Sequence, residues 1–223
     1  MPEARASTLL LRNVPLFASL SDAQRDILAQ RLQRHSYARG ATIIEAGEPT
    51  GSLHIIISGR AQVVISDNKG RRVILAMLRP GDYFGEMGLL DDRPRSASVV
   101  AREASEILTL DKDDFARCLE QNFELAMTMA RGLAKRLRQA DNRIGSLALL
   151  DVYGRVAQLL LQEAETVNGI RLVAGGVSKQ DIARMIGASR ERVSRIMKDL
   201  QARGYIEMRG SSIVLLDQVG LLE

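Results

Sequence analysis

Cysteine occurs once in this 223-residue chain, tryptophan is missing, and aromatic residues amount to 4%. The lone Cys118 excludes an internal disulfide and a four-cysteine iron–sulfur site. The two histidines, His35 and His54, lie too far apart for metal-ligand spacing, so no metal is expected. No apolar run approaches the length that spans a bilayer. The start, Met1-Pro2-Glu3-Ala4-Arg5, lacks the basic-then-apolar order of a secretion signal, so a cytoplasmic protein is expected. No nucleophile stands beside a base and no acid pair or metal cluster appears, so an enzyme is not the expected class.

What is present is enough length for two domains and a net charge of +4. Between Ser178 and Arg209 stand eight Lys/Arg against four Asp/Glu, so 8 − 4 = +4 and this one segment carries the whole surplus. A basic stretch of that kind points to nucleic acid.

The most specific motif is Phe84-Gly85-Glu86-Met87-Gly88-Leu89-Leu90-Asp91-Asp92-Arg93-Pro94-Arg95-Ser96-Ala97-Ser98. Gly85, without a Cβ, lets backbone approach an anion, Arg95 offers a planar two-donor fork, and Ser96 adds a hydroxyl. Glu86 is left to accept a hydrogen bond, for which a ribose hydroxyl is the natural donor. Together these are the parts needed to hold a cyclic sugar phosphate. Gly85, Glu86, Met87, Arg95, Ser96 and Ala97 are therefore the ligand-contact candidates.

The periodicity predicts an α+β chain in three regions: 1–111, 112–150 and 151–223. After a helical opening with a Ser21–Gln24 capping box ahead of Ile27, Leu28 and Leu32, short β-branched runs fill Ala41 to Asp111. They are Ile43-Ile44, Leu53–Ile57, Ala61–Ile65, Val73–Leu75, Ser98–Val100 and Ile107–Leu110, punctuated by Gly47, Gly59, Gly70 and Gly81. Such spacing predicts an antiparallel β-roll, with Gly85–Ser96 as a compact insert. From Leu119, apolar residues recur at steps of four and three through Phe123, Ala126, Ala130, Leu133, Leu137, Ala140, Ile144 and Leu147. This predicts one long helix, residues 119–147, forming a parallel coiled coil between two copies; the alternative is an amphipathic helix packed on its own domain.

The third region predicts a helix from Tyr153 to about Glu165, ended by Val167-Asn168-Gly169, then a helix started by Ser178 and closed by Gly187. Ser189 caps a further helix from Arg190 to about Ala202, followed by a hairpin across Arg209-Gly210-Ser211. This is a winged helix-turn-helix. Arg190, Glu191 and Arg195 are the base-reading candidates, since arginine pairs with guanine O6 and N7 and glutamate accepts from cytosine N4. Arg190 and Arg195 are separated by about 7.5 Å of helix axis, roughly two base steps. Ser178, Lys179, Gln180 and Ser189 lie at helix starts suited to phosphate or groove contacts, and Arg192 reads as solvated or phosphate-facing. A parallel dimer would place two such helices about 34 Å apart, over a palindrome in double-stranded DNA.

The Gly85–Ser96 segment, Leu149-Leu150-Asp151-Val152-Tyr153-Gly154-Arg155-Val156-Ala157 and Ile186-Gly187-Ala188-Ser189-Arg190-Glu191-Arg192-Val193-Ser194-Arg195 occur in that order. From about Phe17 to Leu216 the chain resembles the cyclic-AMP receptor protein and FNR family of bacterial transcription regulators. The resemblance implies a cyclic-nucleotide-binding β-roll in which Gly85, Glu86, Arg95 and Ser96 hold the phosphate and ribose. It also implies a half-site similar to TGTGA read by Arg190, Glu191 and Arg195, a hinge at Asp151, and RNA polymerase as a partner. One departure stands out: where cyclic-AMP-responsive members carry a Thr-Ser pair that meets the adenine amino group, this chain has Ala140 and Asp141. Arg138-Gln139-Ala140-Asp141 also matches the Arg-x-x-Asp pattern of cyclic di-GMP sites, in which arginine meets guanine and aspartate takes its N–H groups. Equally, Arg136 and Asp141 fall at the g and e′ positions of an interchain ion pair. Cyclic AMP, cyclic GMP and cyclic di-GMP therefore stay open as ligands. Two other readings are a ligand-independent or redox regulator of the same family and a nucleotide sensor acting on a protein partner.

Overall fold

The computed structural model describes residues 10–175 and 177–216, so Met1–Arg5 lies outside the described residues. The chain divides into two compact units, 1–135 and 136–223, and the boundary falls inside a helix.

The first unit opens with a 3-10 turn, Pro15–Phe17, that buries Leu16 and Phe17. Helix α1 (Asp22–Ala29) has the expected capping box: Gln24 N–H donates to Ser21 Oγ at 3.3 Å and Ser21 N–H to Gln24 Oε1 at 2.9 Å. Its apolar row is only partly inward, since Leu28 is buried and Ile27 is 63% exposed. Strands β1 (Gln33–Tyr37), β2 (Thr42–Ile44), β3 (Ser52–Ser58), β4 (Ala61–Ser66), β5 (Arg72–Leu78) and β6 (Tyr83–Phe84) follow. Helix α2 (Met87–Asp91) and strands β7 (Ser98–Ala101) and β8 (Ser105–Asp111) complete the roll.

Two four-stranded antiparallel sheets, β1-β8-β3-β6 and β2-β7-β4-β5, face each other. Between them pack Ile44, Ile56, Ala61, Leu78, Phe84, Val99 and Ile107. The other face of β3 sends Leu53 and Ile55 into a second core with Phe17, Leu28, Phe115, Leu125 and Met129. Burial on both faces explains why Leu53–Ile57 reads as a nearly continuous apolar run rather than an alternation.

The expected uninterrupted helix from Leu119 is broken. Helix α3 (Lys112–Gln121) contains Leu119, and helix α4 (Phe123–Leu149) starts anew after Asn122, whose backbone is extended (φ −138°, ψ 90°). Asn122 ends α3 with its own amide, donating from Nδ2 to the Cys118 carbonyl at 3.0 Å and accepting from Gln24 Nε2 at 2.6 Å. An asparagine side chain that competes for backbone partners is a helix terminator. The heptad count passes through the break because Leu119 and Phe123 keep the spacing of four. Helix α4 rests on the roll through Leu125 and Met129, which the predicted row does not contain, and through Leu133, which it does. In that row Phe123 (73%), Leu137 (64%), Ile144 (66%) and Leu147 (57%) stay exposed.

The second unit holds α5 (Val152–Glu163), β9 (Ala164–Val167), β10 (Ile170–Val173), α6 (Lys179–Ile186), α7 (Arg190–Ala202), β11 (Ile206–Arg209) and β12 (Ser212–Leu215). Helix α5 ends two residues before the expected Glu165 because the chain turns into a β9–β10 hairpin. Asn168 (φ 51°) and Gly169 (φ 78°) supply the two positive φ angles of a type I′ turn. The four strands form one sheet in the order β11-β12-β10-β9. Val156, Leu160, Ile182, Val193, Met197, Leu200, Ile206 and Ile213 form buried apolar surface of this unit. No described helix is long and apolar enough to cross a membrane.

Candidate functional site

The Gly85–Ser96 segment leaves β6, makes the short helix α2 and returns to β7. Three contacts fix its return. Arg95 N–H donates to the Glu48 carbonyl at 2.9 Å, Gly47 N–H to the Arg95 carbonyl at 2.8 Å, and Thr50 Oγ1 to the Arg93 carbonyl at 2.9 Å. Gly88 lets the strands of this loop meet, for a Cβ there would lie 2.2 Å from Thr50 Oγ1 and 2.3 Å from the Arg93 oxygen.

Arg95 is 7% exposed and Glu86 1% exposed, so two opposite charges lie inside the roll. Nη1 of Arg95 donates to the Gly85 carbonyl and Nη2 to the Ser52 carbonyl, each at 2.8 Å, with Ser52 Oγ a further 3.5 Å contact. A guanidinium carries five N–H donors, so the second Nη1–H and Nε–H are left over for an anion. Burial pushes Arg95 below its ordinary pKa, and the carboxylates of Glu48 and Glu86 push it back up. Its charge is held in position by neutral oxygens rather than cancelled by a directly bonded carboxylate. Gly85 has φ +85°, and a Cβ on it would stand 2.3 Å from Arg95 Nη1. Backbone and guanidinium therefore meet at a distance only glycine permits. Ser96 is exposed, and among the described residues its hydroxyl reaches the Met87 sulfur, at 3.9 Å. Ala97 is buried. Thus Gly85, Glu86, Met87, Arg95, Ser96 and Ala97 share one loop, with Glu86, Arg95 and Ala97 buried and Met87 and Ser96 exposed.

In the second unit, α6 begins with a closed capping box. Ser178 Oγ accepts from Asp181 N–H at 3.1 Å and donates to Asp181 Oδ2 at 2.7 Å, and Ser178 N–H donates to the same oxygen at 2.9 Å. The Ser178 hydroxyl is thereby engaged within the protein, whereas Lys179 and Gln180 are half-buried at the helix start. Gly187 takes the left-handed conformation (φ 66°) that ends α6 and turns the chain. Ser189 then caps α7, accepting from Arg192 N–H at 3.2 Å. Val193, Ile196, Met197 and Leu200 face inward, while Arg190, Glu191, Ser194, Arg195 and Lys198 line an open groove on the other side. Asp151 sits between α4 and α5 and caps α5 through Gly154 N–H at 2.8 Å. The Ser146 hydroxyl is hydrogen-bonded to Gln158 Oε1, which ties the last turns of α4 to α5.

Both halves match known domain families: a cyclic nucleotide-binding domain over residues 34–122 and a Crp-like helix-turn-helix domain over residues 154–223. A CRP-like cAMP-activated global transcriptional regulator of Mycobacterium tuberculosis is 32% identical over 212 residues, 93% of this chain and 95% of the relative. The cAMP-activated global transcriptional regulator CRP of Salmonella typhimurium is 35% identical over 185 residues, 81% of this chain and 88% of the relative. Among solved structures, the c-di-GMP-responsive global regulator CLP of Xanthomonas campestris superposes with TM-score 0.69 at 25% identity, over 84% of this chain and 95% of that one. The chain belongs to the CRP-like family of transcription regulators.

The CRP-like assignment joins a nucleotide-binding roll and a DNA-binding helix pair in one regulator. Arg138 and Asp141 are exposed on α4 and belong to the second compact unit, whereas the Gly85–Ser96 loop belongs to the first. Two residues beside Arg95 and Phe84 carry no signal in the motif itself. Ser52 holds Arg95 through its carbonyl, a backbone role that side-chain type does not report. His54, 5% exposed, stacks on Phe84 with ring centroids 5.0 Å apart. Its position in an apolar strand between Leu53 and Ile55 was the available signal.

Proposed function

We propose that this CRP-like chain acts as a cytoplasmic homodimer whose affinity for a palindromic DNA site is set by a cyclic purine nucleotide held against Glu86 and Arg95. The observation that carries the reading is the Arg95 guanidinium, 7% exposed and braced by the carbonyls of Gly85 and Ser52 with donors to spare. A cyclic phosphate fits it in charge and bidentate geometry, and buried Glu86 suits a ribose hydroxyl. Gly85, Met87, Ser96 and Ala97 complete this loop. These are binding groups, and no catalytic step is assigned to them. The exposed α4 row from Phe123 to Leu147 is the dimer seam, within a dimerisation region of residues 112–150. RNA polymerase is the expected further partner.

For the base, M. tuberculosis and S. typhimurium relatives activated by cAMP and a solved relative responsive to c-di-GMP support two readings. Asp141 accepts two donors, which suits the guanine edge, and Arg138 would meet the same base; Ala140 offers no hydroxyl to an adenine amino group, which would then be left with the Asp141 carboxylate as its acceptor. Turning a site from mostly inactive to mostly active takes about 5 kcal/mol of preference between the two states, shared by two pockets per dimer.

Thermal unfolding with cyclic AMP, cyclic GMP and cyclic di-GMP tests the pocket. The cognate nucleotide at a hundred times its dissociation constant adds about 2.7 kcal/mol to stability. A shift with none of the three would overturn the reading.

On the DNA side, Arg190, Glu191 and Arg195 read base edges, with Lys179, Gln180 and Arg192 on phosphates and Ser178 and Ser189 setting the helix starts. Arg195→Ala is expected to weaken binding to a TGTGA-type duplex about tenfold and to erase the preference at one guanine. Fluorescence anisotropy against a panel of single-base variants checks this. Uniform weakening across the panel would mean a phosphate contact instead.

A further inference from the structure

Helix α4 contains two glycines, and they differ in what surrounds them. A Cβ on Gly145 would meet nothing within 4 Å, whereas one on Gly132 would lie 2.4 Å from the Tyr83 hydroxyl and 3.6 Å from Tyr83 Cζ. An interior helical glycine costs about 1 kcal/mol relative to alanine. At Gly132 that cost admits the tip of an aromatic ring against the helix backbone.

Tyr83 lies on the path from the pocket. It opens the two-residue strand β6, its Cα pairs with Ile55 of β3, and its neighbour Phe84 pairs with His54. The next residue is Gly85, whose carbonyl holds Arg95 Nη1 at 2.8 Å. On the helix side, Leu125, Met129 and Leu133 pack into the same core as Tyr83 and flank Gly132. From Gly132 the helix runs without interruption to Leu149, two residues before the Asp151 cap.

We propose that Tyr83 and Gly132 form a rigid strut by which nucleotide occupancy of the Gly85–Ser96 loop sets the position of α4. They are positioning residues for the DNA-binding response, not ligand contacts. The inference rests on the roll being a nucleotide sensor. A phenol ring has no internal give along its axis, so a displacement at Gly85 reaches the helix through two backbone steps and one ring. Packed contacts of this kind favour discrete arrangements, which is what a two-state response needs.

The test is a size swap in the full-length chain. Gly132→Ala, Tyr83→Phe, the double variant and Tyr83→Ala are compared for nucleotide affinity, with cyclic AMP and cyclic di-GMP as probes, and for binding to a TGTGA-type duplex with and without nucleotide. Gly132→Ala is expected to change the nucleotide-induced gain in DNA affinity about tenfold while nucleotide affinity stays within about threefold. Tyr83→Phe removes the oxygen that obstructs the new methyl, so the double variant is expected to recover the gain to within about threefold of wild type. Recovery separates the strut from general damage to the helix. If Gly132→Ala does not fold, Tyr83→Ala carries the test, since it opens space and should drive the gain toward unity. A normal gain in Gly132→Ala or in Tyr83→Ala, or a double variant no better than Gly132→Ala, overturns the strut alone. A wild-type chain whose stability and DNA affinity respond to neither nucleotide overturns the sensor reading and the strut with it.

Discussion

Replacing Arg95 with alanine is expected to weaken cyclic nucleotide binding on the order of a thousandfold, because it removes a buried charge that the ligand phosphate must otherwise do without. The effect has two sources. One is the lost N–H donors toward the anion. The other is the brace itself, since Arg95 joins the Gly85 carbonyl to the Ser52 carbonyl across β6 and β3. Arg95→Lys separates them: it keeps a positive charge but cannot span both oxygens in a planar fork, so its affinity should fall between alanine and wild type. Isothermal titration with the nucleotide that stabilises the wild type provides the comparison. An Arg95→Ala affinity within about threefold of wild type would remove the guanidinium from the site.

The second large effect is on stability in mild acid. Burial, then the charge of Arg95, then that of His35 hold the His54 imidazole at about 4, against an ordinary 6.5. The unfolded chain takes up this proton near pH 6.5 and the folded chain resists until about pH 4. Between those values the unfolded state binds more protons, so stability rises with pH. The contribution is fully present above pH 6.5 and is lost as pH falls through 4, amounting to on the order of 3 kcal/mol. His54→Phe keeps a ring against Phe84 but has no proton to bind. Urea unfolding at pH 7 and pH 4.5 should show a markedly shallower acid loss in that variant, and an equal loss in both proteins would place the acid sensitivity elsewhere.

What was legible in the sequence follows from whether local pattern and tertiary role agree. The predicted strands of the roll are all present, and each sends at least one residue of its apolar run into a core, although Ile65, Val73 and Leu75 stay exposed. Helix α7 begins at Arg190 and ends at Ala202 as predicted, with Ser189 setting its start and an apolar row at helical spacing setting its face. Strand β1, Gln33-Arg34-His35-Ser36-Tyr37, is an exposed edge held by pairing with β8, so it lacks the alternation that announces a strand. Asn168-Gly169 reads in sequence as the end of a helix, whereas the same two residues serve a hairpin once β12 is there to receive β10. The break at Asn122 was hidden by a heptad that stays in phase across it. In the pocket, the side chains of the Gly85–Ser96 loop were readable from their chemistry. The Ser52 carbonyl and the Tyr83–Gly132 contact were not, because they depend on distant segments meeting in space.

The place of β10 in the carboxy-terminal sheet has a mechanical consequence. A free two-stranded ribbon is marginally stable and bends readily. Here β12 is stitched on one side to β11 and on the other to β10, which is backed in turn by β9. The tip at Arg209-Gly210-Ser211 is thus the end of a four-ply slab rather than a loose flap. Trimming the turn at Asn168 and Gly169, some forty residues upstream in sequence, would soften that tip without altering any residue in it.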